Sequence, residues 1–259
     1  MSRILYKYLD ITGAKSMIGN QDLQFTNAYQ LNDPFDCHPK LFDYSNVPES
    51  RRERWIPDEW LKEEEENDAL NSRNETWLCS LSKVNDSLLM WSHYCYNHKG
   101  VCIGLDIEKV MESVPPMFGF IHLKPFVLDV HYQEIIKRPS AFGPSAGQRM
   151  YQWTTKAKEW QYEQEVRLIM PNPIQAYAAF TPEQVKHPKE VWDPREIRHY
   201  MPLKGECFES IYFGINIDPT EKDTIIKYAR KKLNPQINLY QMRVDDNAFK
   251  LQPERCPLK

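Results

Sequence analysis

The chain has 259 residues, with 33 Lys plus Arg against 36 Asp plus Glu and a formal net charge of −3, so no global basic field draws it to nucleic acid. A chain of this length buries a substantial core without metal or disulfide staples, and one domain over 1–259 is expected. Cysteines at 37, 79, 95, 102, 207 and 256 in mostly apolar or aromatic settings, no charged-then-apolar leader and no apolar run near the ~20 residues a bilayer requires predict a reduced, cytoplasmic protein with no membrane partner.

Arg3–Tyr8 reads as a first strand and Ile11–Ile18 as a short helix stopped by Gly19-Asn20. Leu23–Thr26 is the second strand. Asn32-Asp33-Pro34-Phe35-Asp36 marks a turn, because Pro34 fixes its own φ and pushes Asp33 out of the helical region. Charge dominates Glu49–Glu75, where a helix is expected with Trp55, Trp60 and Leu61 as buried contacts and Glu63–Glu66 as its solvated face. Trp77–Ser82 is a strand, Ser87–Tyr96 a helix, and Val101–Leu105 a strand entered through His98-Lys99-Gly100. Asp106 caps a helix over Ile107–Ser113, which Pro115 and Pro116 forbid to continue.

Further on, the Pro, Ser, Ala and Gly of Pro139–Gly147 read as a mobile loop, a connector by default, and Met150–Lys158 as a helix. Pro171–Pro202 reads as irregular and Ile211–Ile215 as a strand. Asp218-Pro219-Thr220-Glu221 starts a helix over 219–233, with an acceptor at the cap and Pro at the first helical position. Lys227, Arg230, Lys231 and Lys232 form its wet face, and Ile237–Val244 supplies a closing strand. Strands and helices mix without a regular repeat and without a Gly-rich phosphate loop, so the class is α+β.

The chemistry concentrates in Trp160–Ile169, which contains Glu163-x-Glu165-x-Arg167. Along a strand these three share one face, with Tyr162, Val166 and Leu168 on the other. A solvated face with an ion pair is the structural alternative to a catalytic one. Same-face neighbours sit side by side rather than across a sugar, which suits one glutamate acting while the second tunes it. His93-x-Cys95-x2-His98-x3-Cys102 offers four ligand types, but His93 and Cys95 lie two apart on an expected helix and point in different directions. No metal is expected there, and His93 is expected to hydrogen-bond in or near a pocket.

Leu5-Tyr6-Lys7-Tyr8, Asn32-Asp33-Pro34-Phe35-Asp36, Met90-Trp91-Ser92-His93-Tyr94, His98–Gly104, Trp160–Arg167 and Ile211-Tyr212-Phe213-Gly214 together resemble a bacterial family of unknown function. The resemblance implies a setting beside mobile or anti-phage genes. The chain also resembles the ADP-ribosyltransferase superfamily, which places a cation or polar ring on the first strand, a Ser, Thr or Tyr on the second and a Glu, often as Gln/Glu-x-Glu, on a later one. Lys7, Thr26 and Glu165 fall in that order, with Glu163 as the first member of the pair. Lys7 stands where Arg or His is usual, and Tyr6 or Tyr8 could do that work instead.

That second resemblance implies a mixed or antiparallel split sheet flanked by helices, NAD as substrate and no metal. Cleaving the nicotinamide–ribose bond develops positive charge on the ribose, which a carboxylate bonded to the 2′-hydroxyl would favour. Glu165 would hold the ribose and Glu163 would orient the nucleophile or take its proton. Tyr8, Phe35 or Tyr94 would sandwich the nicotinamide ring and Lys7 would contact pyrophosphate or ribose. Asn32 and Asp33 are either ligand contacts or a self-bonded turn, while Trp77, Trp91 and Trp160 are assigned to packing.

The resulting expectation is a toxin-like ADP-ribosyltransferase acting on a protein or nucleic-acid acceptor and restrained by an antitoxin or other regulatory protein. The alternatives are a nuclease with a divalent ion on Asp33, Asp36, Glu163 and Glu165, and a non-catalytic subunit of a defence complex.

Overall fold

The computed structural model describes residues 3–52, 55–113, 124–171 and 197–257. In chain order, β1 (Ile4–Leu9), α1 (Ile11–Asn20) and β2 (Asp22–Asn27) are followed by α2 (Asp58–Asn74), β3 (Thr76–Ser82), α3 (Leu88–Tyr94), β4 (Val101–Asp106) and α4 (Ile107–Ser113). Then come β5 (Phe126–Asp129), β6 (His131–Gln133), α5 (Ser145–Thr154), β7 (Thr155–Ala157), a 3-10 segment (Lys158–Glu163) and β8 (Glu165–Pro171). The last elements are β9 (Arg198–Pro202), β10 (Phe208–Phe213), α6 (Pro219–Lys232), β11 (Asn238–Val244) and β12 (Leu251–Arg255).

Ten strands form one mixed sheet in the order β12-β11-β10-β4-β1-β3-β2-β9, with β8 on β3 and β5 on β8. The α+β class is therefore correct, and the sheet, flanked by helices, does not close into a barrel. Among the described strands, only β10 and β11 run parallel within it; a separate parallel pair joins β6 to β7.

The β3 strand creates the feature that positions the site. One of its edges is taken along its whole length by β8, from Thr76↔Pro171 to Ser82↔Glu165. Its other edge is shared: β2 pairs at Trp77 and Leu78, whereas β1 pairs at Ser82. Cys79, Ser80 and Leu81 lie between these two pairings, so β1 and β2 splay apart and the sheet splits. One face of this region carries Trp77, Cys79, Leu81, Val166 and Leu168 into the main core with Leu5, Phe25, Ile103, Ile211 and Phe213. Leu78 and Ile169 face the opposite way, under Ala28, Cys37 and Trp153.

Most expected elements form with shifted ends. The helix after Asp218 spans Pro219–Lys232, and the Asp218 carboxylate accepts from the N–H groups of Thr220 and Glu221. Lys227, Lys231 and Lys232 are exposed, as expected of a wet face. The helix expected over Met150–Lys158 instead runs from Ser145 to Thr154 and yields to a strand, so it takes up the end of the expected Pro139–Gly147 loop. The irregular stretch expected over Pro171–Pro202 contains strand β9; its residues 172–196, like Pro115 and Pro116, lie outside the described residues. Trp55 and Trp60 are not buried contacts: they are 84% and 51% exposed. The acidic α2 buries its C-terminal end, through Ala69, Ser72 and Arg73. Among the described residues, no helix is long and apolar enough to cross a membrane.

Candidate functional site

A cavity of about 260 Å³ opens where the sheet splits. Tyr6, Lys7 and Tyr8 of β1, Gln24 and Thr26 of β2, and Ser80 and Ser82 of β3 line it, with Asn32, Asp36, Tyr94, Lys156, Glu163 and Glu165. Lys7, Thr26, Glu163 and Glu165, far apart in sequence, thus meet in one place. The Lys7 ammonium donates to the Ser80 carbonyl at 3.0 Å, satisfying a β3 acceptor that the split leaves without a strand partner.

The glutamates reach the cavity by a route different from simple strand alternation. Glu163 ends the 3-10 segment and is not in the strand; Gln164 takes a left-handed conformation (φ 44, ψ 50), and β8 begins at Glu165. The expectation that Glu163, Glu165 and Arg167 share one strand face therefore holds only for the last two. The kink is held in place: the Ser82 hydroxyl donates to the Glu163 carbonyl at 2.7 Å, and Lys83 N–H donates to the Gln164 carbonyl at 3.1 Å.

Beneath the cavity lies a buried ionic network. Arg167 donates from Nε to Glu165 Oε1 at 2.9 Å and from Nη2 to Glu165 Oε2 at 3.1 Å and Asp36 Oδ2 at 2.7 Å. Its Nη1 donates to the Trp153 carbonyl at 2.8 Å. Lys156 Nζ donates to Glu163 Oε2 at 2.6 Å and Glu165 Oε2 at 3.0 Å, with Asp36 Oδ2 at 3.9 Å. Burial alone would raise the Glu165 pKa, but Arg167 and Lys156 outweigh it and hold the carboxyl well below the usual range. Burial would lower the Lys156 pKa, and against the opposing Arg167 charge the carboxylates of Glu165, Asp36 and Glu163 hold it above its ordinary value. The structural alternative foreseen for the acid pair, a solvated face, is thus replaced by a dry one.

Other expected contacts divide. Tyr94 lines the cavity, and its hydroxyl donates to Glu163 Oε1 at 2.6 Å; burial and that carboxylate push its pKa up, so it remains a donor. Tyr8 lines the wall but packs edge-on against Trp91, with centroids 5.5 Å apart, and bonds the Val84 carbonyl. Tyr6 meets Tyr212 edge-on. Asn32 lines the cavity, whereas Asp33 serves the turn, Oδ1 accepting from Phe35 N–H at 2.9 Å. Phe35 is 49% exposed and outside the cavity wall, because the turn directs it outward. His93 is also exposed and off the wall, its Nδ1 3.1 Å from the Tyr162 hydroxyl. Trp77 and Trp91 are fully buried packing residues. Trp160 lies 4.9 Å below the Lys156 ammonium, a contact beyond packing.

Cysteine nucleophiles find no support in this geometry. Burial pushes the thiols of Cys37 and Cys95 up to about 12 and raises those of Cys79 and Cys102. Among the described residues, no group of three His, Cys, Asp or Glu side chains is arranged to hold a metal ion. Asp36, Glu163 and Glu165 converge on an ammonium instead.

Residues 90–168 match the family model described as Protein of unknown function (DUF2971). No curated protein and no solved structure matches the chain. The DUF2971 segment contains Tyr94, Lys156, Glu163, Glu165 and Arg167; Lys7, Thr26 and Asp36 come from outside it.

Sequence reasoning missed Lys156. The helix expected over Met150–Lys158 sets it near a helix end, where a lysine reads as solvated, and no local pattern ties it to acids seven and nine residues later. Asp36 reads from the sequence as part of a turn or as a ligand of a divalent ion, not as the partner of a buried arginine. The signal that could have found both is a balance of charge: a strand burying Glu165 and Arg167 together requires further partners for each.

Proposed function

We propose that the protein transfers ADP-ribose from NAD to a macromolecular acceptor. The observation that carries the reading is the convergence of Lys7, Thr26 and the Glu163–Glu165 pair on one cavity at the split of the sheet. At about 260 Å³ the cavity lies below the roughly 300–1,000 Å³ of pockets that enclose whole drug-sized ligands. It suits one end of a dinucleotide, the nicotinamide and its ribose.

In the reaction the C–N bond between ribose C1′ and nicotinamide breaks. Its electron pair neutralises the ring nitrogen, and positive charge appears on the ribose. Within the network beneath the cavity, Asp36, Glu163 and Glu165 exceed Lys156 and Arg167 by one negative charge, and Lys7 on the wall is a further cation. Glu165, already bonded by Arg167, Lys156 and the Ser80 side chain, would accept from the ribose 2′-hydroxyl in place of Ser80. Glu163, held by Tyr94 and Lys156, would orient the acceptor nucleophile and take its proton as the new C1′ bond forms. Tyr94 and Tyr6 offer rings to the nicotinamide, and Lys7 offers its remaining donor capacity to phosphate.

Geometry favours this reading over a metal-dependent nuclease, because the Lys156 ammonium stands where the carboxylates would share an ion. The test is incubation with NAD labelled in the adenylate moiety. Nicotinamide release with label passing to protein or nucleic acid is expected, falling roughly 100-fold or more in Glu165→Gln and Glu163→Gln variants shown by circular dichroism to be folded. A folded wild type that releases no nicotinamide and labels nothing, or an undiminished Glu165→Gln, would overturn it.

A further inference from the structure

Lys156 reaches the cavity from outside the main sheet, on β7 of the two-stranded β6–β7 unit. Its side chain is 4% exposed, and its ammonium spends two donors on carboxylates from different backbone contexts, Glu163 on the 3-10 segment and Glu165 on β8. Trp160 closes the approach on one side with its ring. Two glutamates brought to one point in a buried site repel, and Arg167 bonds only one of them.

We infer that Lys156 is the positioning residue of this site, an internal cation that gathers Glu163 and Glu165 to one point and sets the direction of the Glu163 carboxylate. It does for these acids what a bound divalent ion does in sites without such a lysine. With Oε2 of Glu163 held by Lys156, Oε1 is left to Tyr94 and to whatever enters the cavity. The inference concerns the architecture of the acids and stands independently of the reaction; only its kinetic arm rests on the ADP-ribosyl transfer reading.

The experiment compares wild type, Lys156→Ala and Lys156→Met by thermal melting, with and without n-propylammonium or tetramethylammonium chloride. Lys156→Ala should melt below wild type and recover part of the loss in propylammonium, whose N–H groups replace those removed. Tetramethylammonium, with the same charge and no donor, should not restore it. Lys156→Met, which fills the space, should respond to neither. Absence of rescue, or equal rescue by both salts, overturns the inference.

A wild-type measurement keeps the question decidable if the alanine variant fails to fold. Lysine NH3+ resonances of ¹⁵N-labelled protein should include one slowly exchanging signal, absent in Lys156→Met and broadened in Glu163→Gln. A Lys156 ammonium that exchanges as fast as surface lysines overturns the proposal. In the kinetic arm, Lys156→Ala should lose roughly 100-fold in kcat for nicotinamide release with KM little changed, and propylammonium should restore kcat. Failure of that arm in a wild type that is itself inactive counts against the transferase reading, while the melting and NMR arms still decide the role of Lys156.

Discussion

At the scale of single residues, Glu165 carries a large electrostatic load, since it is buried and bonded to Arg167 and Lys156 together. Replacing one partner in such a network leaves the others as uncompensated buried charge, a loss of about 3–5 kcal/mol. The pH dependence follows in sign. The folded-state pKa of Glu165 lies below the 4.5 of an ordinary glutamate, so its stabilisation is present above that value and fades as pH falls towards the folded pKa. Urea unfolding should therefore show Glu165→Gln less stable than wild type by about 3–5 kcal/mol at pH 7, with the difference narrowing below pH 4.5. A difference that holds constant down to pH 2.5 would show that the carboxylate is not held ionised by its neighbours. The Glu165–Arg167 pairing was legible, because positions two apart on a strand share a face. Lys156 and Asp36 were not, because their partners are supplied by tertiary packing.

Among the elements, the junction of the 3-10 segment with β8 decides how the acids are presented. Gln164 sits at positive φ, where a side chain is unfavourable and a β-branched one more so. Gln164→Gly should be at least as stable as wild type, and Gln164→Val should lose about 1–2 kcal/mol in denaturant unfolding. If valine is tolerated without loss, the left-handed turn is not what joins Glu163 to Glu165. The sequence reading treated Trp160–Ile169 as one strand, since a single left-handed Gln carries no local signature comparable to Asn or Gly. The same lack of signal hid β5, β6, β7 and β12, each of three to five residues. Long elements with clear periodicity or caps, such as β3 and α6, were legible because local and tertiary preferences agree there.

For the molecule as a whole, the segment that matches the DUF2971 family does not coincide with a unit that can pair its own strands. Within residues 90–168, β5 lies against β8 and β6 against β7, but β4 is flanked by β1 and β10, and the other edge of β8 is covered by β3. The fully buried β4 would expose both edges if β1 and β10 were removed. Arg167 would lose Asp36 and keep Glu165, leaving the charge network open to water. The cavity would lose Lys7 and Thr26 with β1 and β2. A fragment of residues 90–168 should accordingly lack cooperative thermal unfolding and give a collapsed amide spectrum by NMR, whereas the full chain gives a dispersed one. A fragment that folds cooperatively alone would show that the split-sheet cavity is an addition to a self-sufficient core rather than a product of strands from the whole chain.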